Sequence, residues 1–140
     1  MKSDIDIDKI IDDLKKEFPI DEEMKFSEFD IQENLKDNAF LLVRYRDHYD
    51  KERAHLAYLE ELLDKLIGER YDYYRFSYEK TLDKTEIRQY YIPRDVKVVK
   101  MKKILRKQRI RVEFFEMCVT AVKQQGWGMK NFVDTLRQGL

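Results

Sequence analysis

The sequence predicts an all-α chain, built as a long antiparallel helical hairpin with short accessory helices. Three observations point there. Charged residues make up 40% of the 140 positions while Gly numbers four and Pro two, which suits long helices with many wet faces. Two stretches repeat apolar residues every seven positions. The first of them holds no Pro, and its first Gly is Gly68.

Ser3 is expected to cap a first helix from Asp4 to about Glu17, with acids in its first turn and Pro19 beyond its end. Its apolar side is Ile7, Ile10, Ile11, Leu14 and Phe18, and an acidic linker from Ile20 to Lys25 follows. Residues 1–25 thus read as a separable acidic arm, and 26–140 as the hairpin domain.

A second helix is expected from near Ser27 to about Arg70. Leu35, Leu42, Tyr49, Leu56 and Leu63 form one seam, and Asn38, Tyr45, Glu52, Leu59 and Leu66 its companion. Such a helix spans roughly 60 Å, so it must pack on another long helix or on other subunits.

Tyr71 to Asp83 is the connection, compatible with a helix end, a short hairpin or an irregular loop. Thr85 then caps a short helix to Ile92, stopped by Pro93. Asp95 caps a further helix to about Gln125, ended by Gly126. Val98, Met101, Leu105, Gln108, Val112, Phe115, Val119 and Val122 make its seam, able to pair with the first. Gly126-Trp127-Gly128 reads as a turn, and Met129 to Arg137 as a terminal helix.

Beyond Glu113 the apolar content widens around that helix. An element apolar on several sides is buried on several sides, which points to an oligomer interface of Phe114, Phe115, Met117, Cys118, Val122 and Trp127.

Formal net charge is zero, but the signs are segregated. Met1 to Asp37 holds 13 acids and 6 bases; Lys84 to Arg111 holds 11 bases and 2 acids. Such poles suit two partners, one of them a polyanion. No apolar run approaches the ~18 residues of a membrane span, and Met1 to Ile10 lacks signal-peptide character. With the single Cys118 in an apolar helical stretch, the chain reads as soluble and cytoplasmic, with no membrane partner.

Little suggests catalysis, a cofactor or a metal. His48 and His55 are seven apart, not the i, i+4 pair that grips a metal. Cys118 reads as a buried inert thiol, and the four glycines make no phosphate loop.

The binding signal lies between Glu69 and Arg111. Lys100, Lys103, Lys107 and Arg111 fall at spacings of three and four, flanked by Lys102, Arg106 and Arg109. A solvated face usually interleaves Glu with Lys, yet only Asp95 lies between residues 87 and 112. Upstream, Tyr73 and Tyr74 sit beside Arg70 and Arg75, rings beside cations, as base stacking on a flexible single strand requires. Tyr71 or Phe76 reads instead as a ring that closes the hairpin end. Candidate nucleic-acid contacts are Lys65, Arg70, Tyr73, Tyr74, Arg75, Lys80, Lys84, Arg88, Lys100, Lys103 and Lys107.

At these residues the chain resembles the UvsY family, the recombination mediators of tailed bacteriophages. The resemblance covers roughly Lys65 to Gln138. It rests on Arg70 with Tyr73-Tyr74-Arg75-Phe76, Lys84-Thr85-Glu86-Ile87, Tyr91-Ile92, Asp95, and Ala121-Val122-Lys123 before Gly126-Trp127-Gly128-Met129-Lys130. It implies a non-enzymatic protein that binds single-stranded DNA as a ring-like homo-oligomer, a hexamer or heptamer. It implies as partners a phage recombinase and the phage single-strand-binding protein, in the cytoplasm of the infected bacterial host. A family lysine and arginine ahead of the tyrosine pair serve DNA binding. Arg70 carries over; Gly68 stands where the lysine is expected, and Lys65 lies one turn back. The alternative is a helical scaffold or adaptor whose basic stripe meets acidic protein surfaces.

Overall fold

The computed structural model describes residues 5–25 and 30–139. Six helices occur among them: α1 (Ile7–Glu17), α2 (Ile20–Glu23), α3 (Ile31–Asp72), α4 (Lys84–Glu86), α5 (Ile92–Arg94) and α6 (Val96–Gln138). Wider π-type turns occupy Tyr73–Ser77 and Ile87–Tyr91, and the described residues contain no strand. The all-α expectation holds.

Aspartates mark the helix starts. Asp6 accepts from the Lys9 N–H at 3.1 Å, Asp30 from Glu33 at 3.0 Å and Asp83 from Glu86 at 2.8 Å. Asp95 Oδ1 accepts from Lys97 at 2.9 Å and Val98 at 3.1 Å, as its position predicts. A short carboxylate satisfies N–H groups that lack an intrahelical partner and sits at the positive end of the helix dipole. Asp83 therefore does the work expected of Thr85. The starts expected at Ser3 and Ser27 lie outside the described residues; α1 itself begins only at Ile7, behind Asp6.

Proline and glycine mislead at three places. Pro93 does not stop its helix but lies inside α5, at its first positions, where a missing N–H costs no bond. Gly126 and Gly128 make no turn, because α6 runs unbroken through both, and the expected terminal helix is its last stretch. Gly126 serves packing. A Cβ there would lie 2.5 Å from Asn38 Oδ1 and 3.3 Å from its Cγ.

The chain divides into two compact units. The first takes residues up to Arg53 and from Ile110. Within it α3 and α6 run antiparallel: Asn38 Nδ2 donates to the Val122 carbonyl at 2.9 Å and to Gln125 Oε1 at 3.1 Å. Further along, Arg111 Nη2 donates to Glu52 Oε1 at 2.6 Å. The two polar interruptions of the companion seam, Asn38 and Glu52, thus each find a polar partner on α6.

The first unit's core joins Leu14 of α1 and Ile20 of α2 to Leu41, Tyr45, Phe114, Phe115, Cys118, Val119 and Val122. This overturns two expectations. The arm of residues 1–25 is not set apart, since its described part is built into this core. Four of the six expected interface residues, Phe114, Phe115, Cys118 and Val122, are buried within the chain itself. The wide apolar surface of α6 that suggested another subunit is covered by α1 and α2. Met117 and Trp127 stay exposed, at 72% and 73%. Burial pushes the Cys118 thiol up to about 12, with the Asp21 charge adding to it and Lys15 opposing, so it is inert as expected.

The second unit spans Ala54 to Arg109. Its core is Leu82, Ile87, Ile92 and Val98, packed on Leu63, Leu66, Ile67 and Tyr71 of α3. Tyr71 closes this core as the sequence suggests. Phe76 does not: it lies in the first π-type turn and is among the most exposed apolar side chains.

Gly126→Ala is expected to lower stability by about 1 kcal/mol, since Asn38 must give up hydrogen bonds worth about 1 kcal/mol each against a helix gain of similar size. Gly128, with nothing within 4 Å of an added Cβ, should gain up to about 1 kcal/mol as Ala. Thermal melts of both variants check this, and Gly126→Ala in an Asn38→Ala background should turn stabilising.

Candidate nucleic-acid interface

All eleven candidate contact residues fall in the second unit. That unit holds 14 Lys and Arg against 9 Asp and Glu, a net of +5; the remaining residues carry −5. The basic pole is therefore a property of one folded body.

Its organising group is Asp95. The carboxylate is buried, and beyond capping α6 it accepts at Oδ2 from Arg70 Nε at 2.8 Å and from the Tyr74 hydroxyl at 2.6 Å. Burial alone would raise this carboxyl. Hydrogen bonds from Tyr74, Arg70 and the Val98 N–H outweigh it and hold the group below the usual carboxylate range. The bond to Asp95 in turn raises Arg70, and burial followed by its own hydrogen bond to Asp95 raises the Tyr74 phenol.

Two candidates therefore have structural duties. The Arg70 side chain is only 19% exposed, and Tyr74 lies half-buried in a cluster of rings. Its centroid is 5.4 Å from that of Tyr78 and 5.3 Å from that of Tyr91. Tyr73, 5.2 Å from Tyr74, faces outward with the Arg70 guanidinium 4.2 Å above its ring. Arg75 is exposed and its Nη1 reaches the Leu82 carbonyl at 3.4 Å.

Lys65, Lys80, Lys84, Arg88, Lys100 and Lys107 are exposed, Arg88 lying 5.4 Å over the Tyr71 ring, whereas Lys103 is half-buried. Arg111, the expected end of the stripe, falls in the first unit and pairs with Glu52. Lys102, Arg106 and Arg109, expected only to flank the stripe, rim a groove of about 360 Å³ floored by Leu63, Val99 and Leu105.

The structure also gathers residues of the basic, aromatic stretch that were not among the candidate contacts. Arg70, Tyr73 and Tyr74 share an open cleft of about 600 Å³ with Tyr78, Tyr90, Tyr91, Arg94 and Glu86. A signal was present: Tyr90 and Arg94 repeat, four apart and in reverse order, the Arg70–Tyr74 spacing. Nothing in the sequence indicated that the two pairs meet.

His48 lies among rings, 4.8 Å from Phe18 and 5.4 Å from Phe115, and His55 stacks on Tyr58. No group of three or more His, Cys, Asp or Glu suited to a metal occurs among the described residues, and no described helix is long and apolar enough to cross a membrane.

No family profile and no curated protein sequence matches the chain. Solved structures do. The bacteriophage T4 recombination mediator protein UvsY in one crystal lattice superposes with a TM-score of 0.74 at 18% identity, covering 93% of this chain and 98% of that one. A second lattice of the same protein gives 0.76 at 18% identity, covering 91% and 96%. The fold is therefore UvsY-like over nearly the full length of the chain.

Asp95→Ala should cost about 3 kcal/mol or more, because it strands the Arg70 charge and uncaps α6. The carboxyl's folded pKa lies below its unfolded value of about 3.9. Its stabilisation is then complete above that value and fades as pH falls through the folded one. Urea midpoints taken down through the acid range should fall less steeply for Asp95→Asn than for the native chain.

Proposed function

We propose that this chain is a phage recombination mediator that binds single-stranded DNA and helps a recombinase load onto strands covered by single-strand-binding protein. The observation that carries the reading is the union, in one unit of net charge +5, of exposed cations with exposed tyrosines. Phosphates need the former and unstacked bases the latter. The UvsY-like fold supports the same reading. The binding form is a homo-oligomer, a hexamer or heptamer closed as a ring, acting in the host cytoplasm without catalysing a reaction. Multivalent engagement by several copies would convert weak single contacts into tight binding.

Met117 and Trp127, exposed on α6, remain the candidates for contact between copies. The acidic balance of the first unit offers a surface for basic protein partners. Bending of the strand around the ring would loosen the coat protein and present the DNA to the recombinase.

Fluorescence anisotropy with labelled oligo-dT tests the reading. Binding at about 50 mM salt should weaken sharply by about 300 mM, with a log–log slope near −3.5 if about five phosphates are neutralised per subunit. Replacing the exposed Lys84, Lys100 and Lys107 by Gln should reduce that slope by about 0.7 for each phosphate no longer neutralised. Arg70→Ala is the poorer probe because it also breaks the Asp95 pair. No binding at low salt, or binding indifferent to salt, favours the scaffold reading.

Gly68→Lys offers a converse test. An added Cβ meets nothing within 4 Å, so the helix should gain up to about 1 kcal/mol. The new cation should steepen the salt slope by about 0.7.

A further inference from the structure

We infer that the tyrosine cleft of the second unit is a nucleotide-binding site with two matched halves, and that Tyr90 and Arg94 form the half opposite Arg70 and Tyr73. This rests on the single-strand reading above and deepens it by naming where bases, rather than phosphates, are held.

Tyr74, Tyr78 and Tyr91 pack against one another, and Tyr73 meets Tyr74 and Tyr78 edge-on at 5.2 and 6.1 Å, yet Tyr73 and Tyr90 both keep ring surface open to solvent. They remain 39% and 54% exposed. Each carries an arginine: Arg70 lies 4.2 Å from the Tyr73 centroid, and Arg94 lies 5.9 Å from that of Tyr90. A guanidinium held beside a ring is oriented in advance to receive a phosphate, and the ring beside it offers a π-face to the neighbouring base. One Arg–Tyr pair serves one nucleotide. Two pairs on one cleft of about 600 Å³, within the size range of small-molecule sites, suit two successive nucleotides.

The halves come from different segments. Arg70 and Tyr73 lie at the end of α3 and the first π-type turn; Tyr90 and Arg94 lie in the second π-type turn and α5. The half-buried Tyr74, Tyr78 and Tyr91 form a wall of the same cleft, with centroids 5.3 to 5.5 Å apart. Such a wall keeps the outer rings in place, so little ordering remains to be done on binding. Glu86, the acid of the cleft, repels phosphate but accepts hydrogen bonds from a base edge. It therefore turns the bases inward and the backbone toward the arginines.

The test compares full-length protein binding to labelled oligo-dT and to an abasic strand of equal length, which keeps every phosphate and removes every base. The native chain should prefer oligo-dT by about tenfold or more, the scale of one to two stacked bases. Tyr90→Leu should lose several-fold of that preference, weakening oligo-dT binding more than abasic binding, and Tyr90→Phe should restore it. Arg94→Gln should weaken both strands and flatten the salt dependence. Equal binding of both strands by the native chain overturns the cleft proposal but leaves DNA binding intact. So does a Tyr90→Leu variant with undiminished preference. Failure of the native chain to bind either strand overturns both readings.

Discussion

A single buried carboxylate organises the basic unit of the molecule. Asp95 takes two backbone N–H groups of α6 on one oxygen, and Arg70 with Tyr74 on the other. An anion removed from water is tolerable only when its lone pairs are filled, and here four donors fill them. The consequence is geometric. The start of α6 is tied to the end of α3, the Tyr74 ring is pinned among its neighbours, and the Arg70 guanidinium is held across Tyr73. The exposed face of the cleft is the outer side of that buried network.

The charge balance of the chain takes on a different meaning in the folded state. A net of zero conceals two compact units of opposite sign, +5 against −5. In the acidic unit several of the cations are occupied: Arg44 pairs with Glu23, Lys51 with Asp47 and Arg111 with Glu52. In the basic unit Arg70 pairs closely with Asp95, while Arg109 makes only a long 3.9 Å approach to Glu60. Long-range attraction for a polyanion follows from such an excess, while the capacity to hold bases depends on the rings beside it.

Much of the fold was legible in sequence because its signals are local or periodic. The seams at seven-residue spacing correctly placed Tyr45, Leu59, Val98, Leu105, Phe115 and Val122 among the buried residues. Asp95 was readable as a cap because an aspartate two and three residues before free N–H groups has one obvious use. Failures came where local rules met distant neighbours. Gly126 looked like a helix stop, but it is the gap into which Asn38 fits from α3. Pro93 looked like a break, but the π-type turn before it left a new helical start where a missing N–H is harmless. Leu41, outside both seams, is buried because α1 and α2 lie in the same core. Phe114 and Cys118 looked like surface for another subunit for the same reason: periodicity reports that a face is covered, not what covers it.

Composition and spacing alone therefore determined the all-helical class, the two long antiparallel helices, the aspartate cap of α6 and the basic, aromatic character of residues 69–111. These follow from the 3.6-residue period and from chemistry between residues a few positions apart. Tertiary structure decided which cations and rings are engaged internally and which are presented. It committed Arg70 and Tyr74 to Asp95, turned Phe76 outward, and brought Tyr90 and Arg94 to the cleft of Tyr73. The reason is that segments separated by about twenty residues meet only through the packing of Ile87, Ile92 and Val98 against α3. That packing is a sum over many weak contacts which no short stretch of sequence contains.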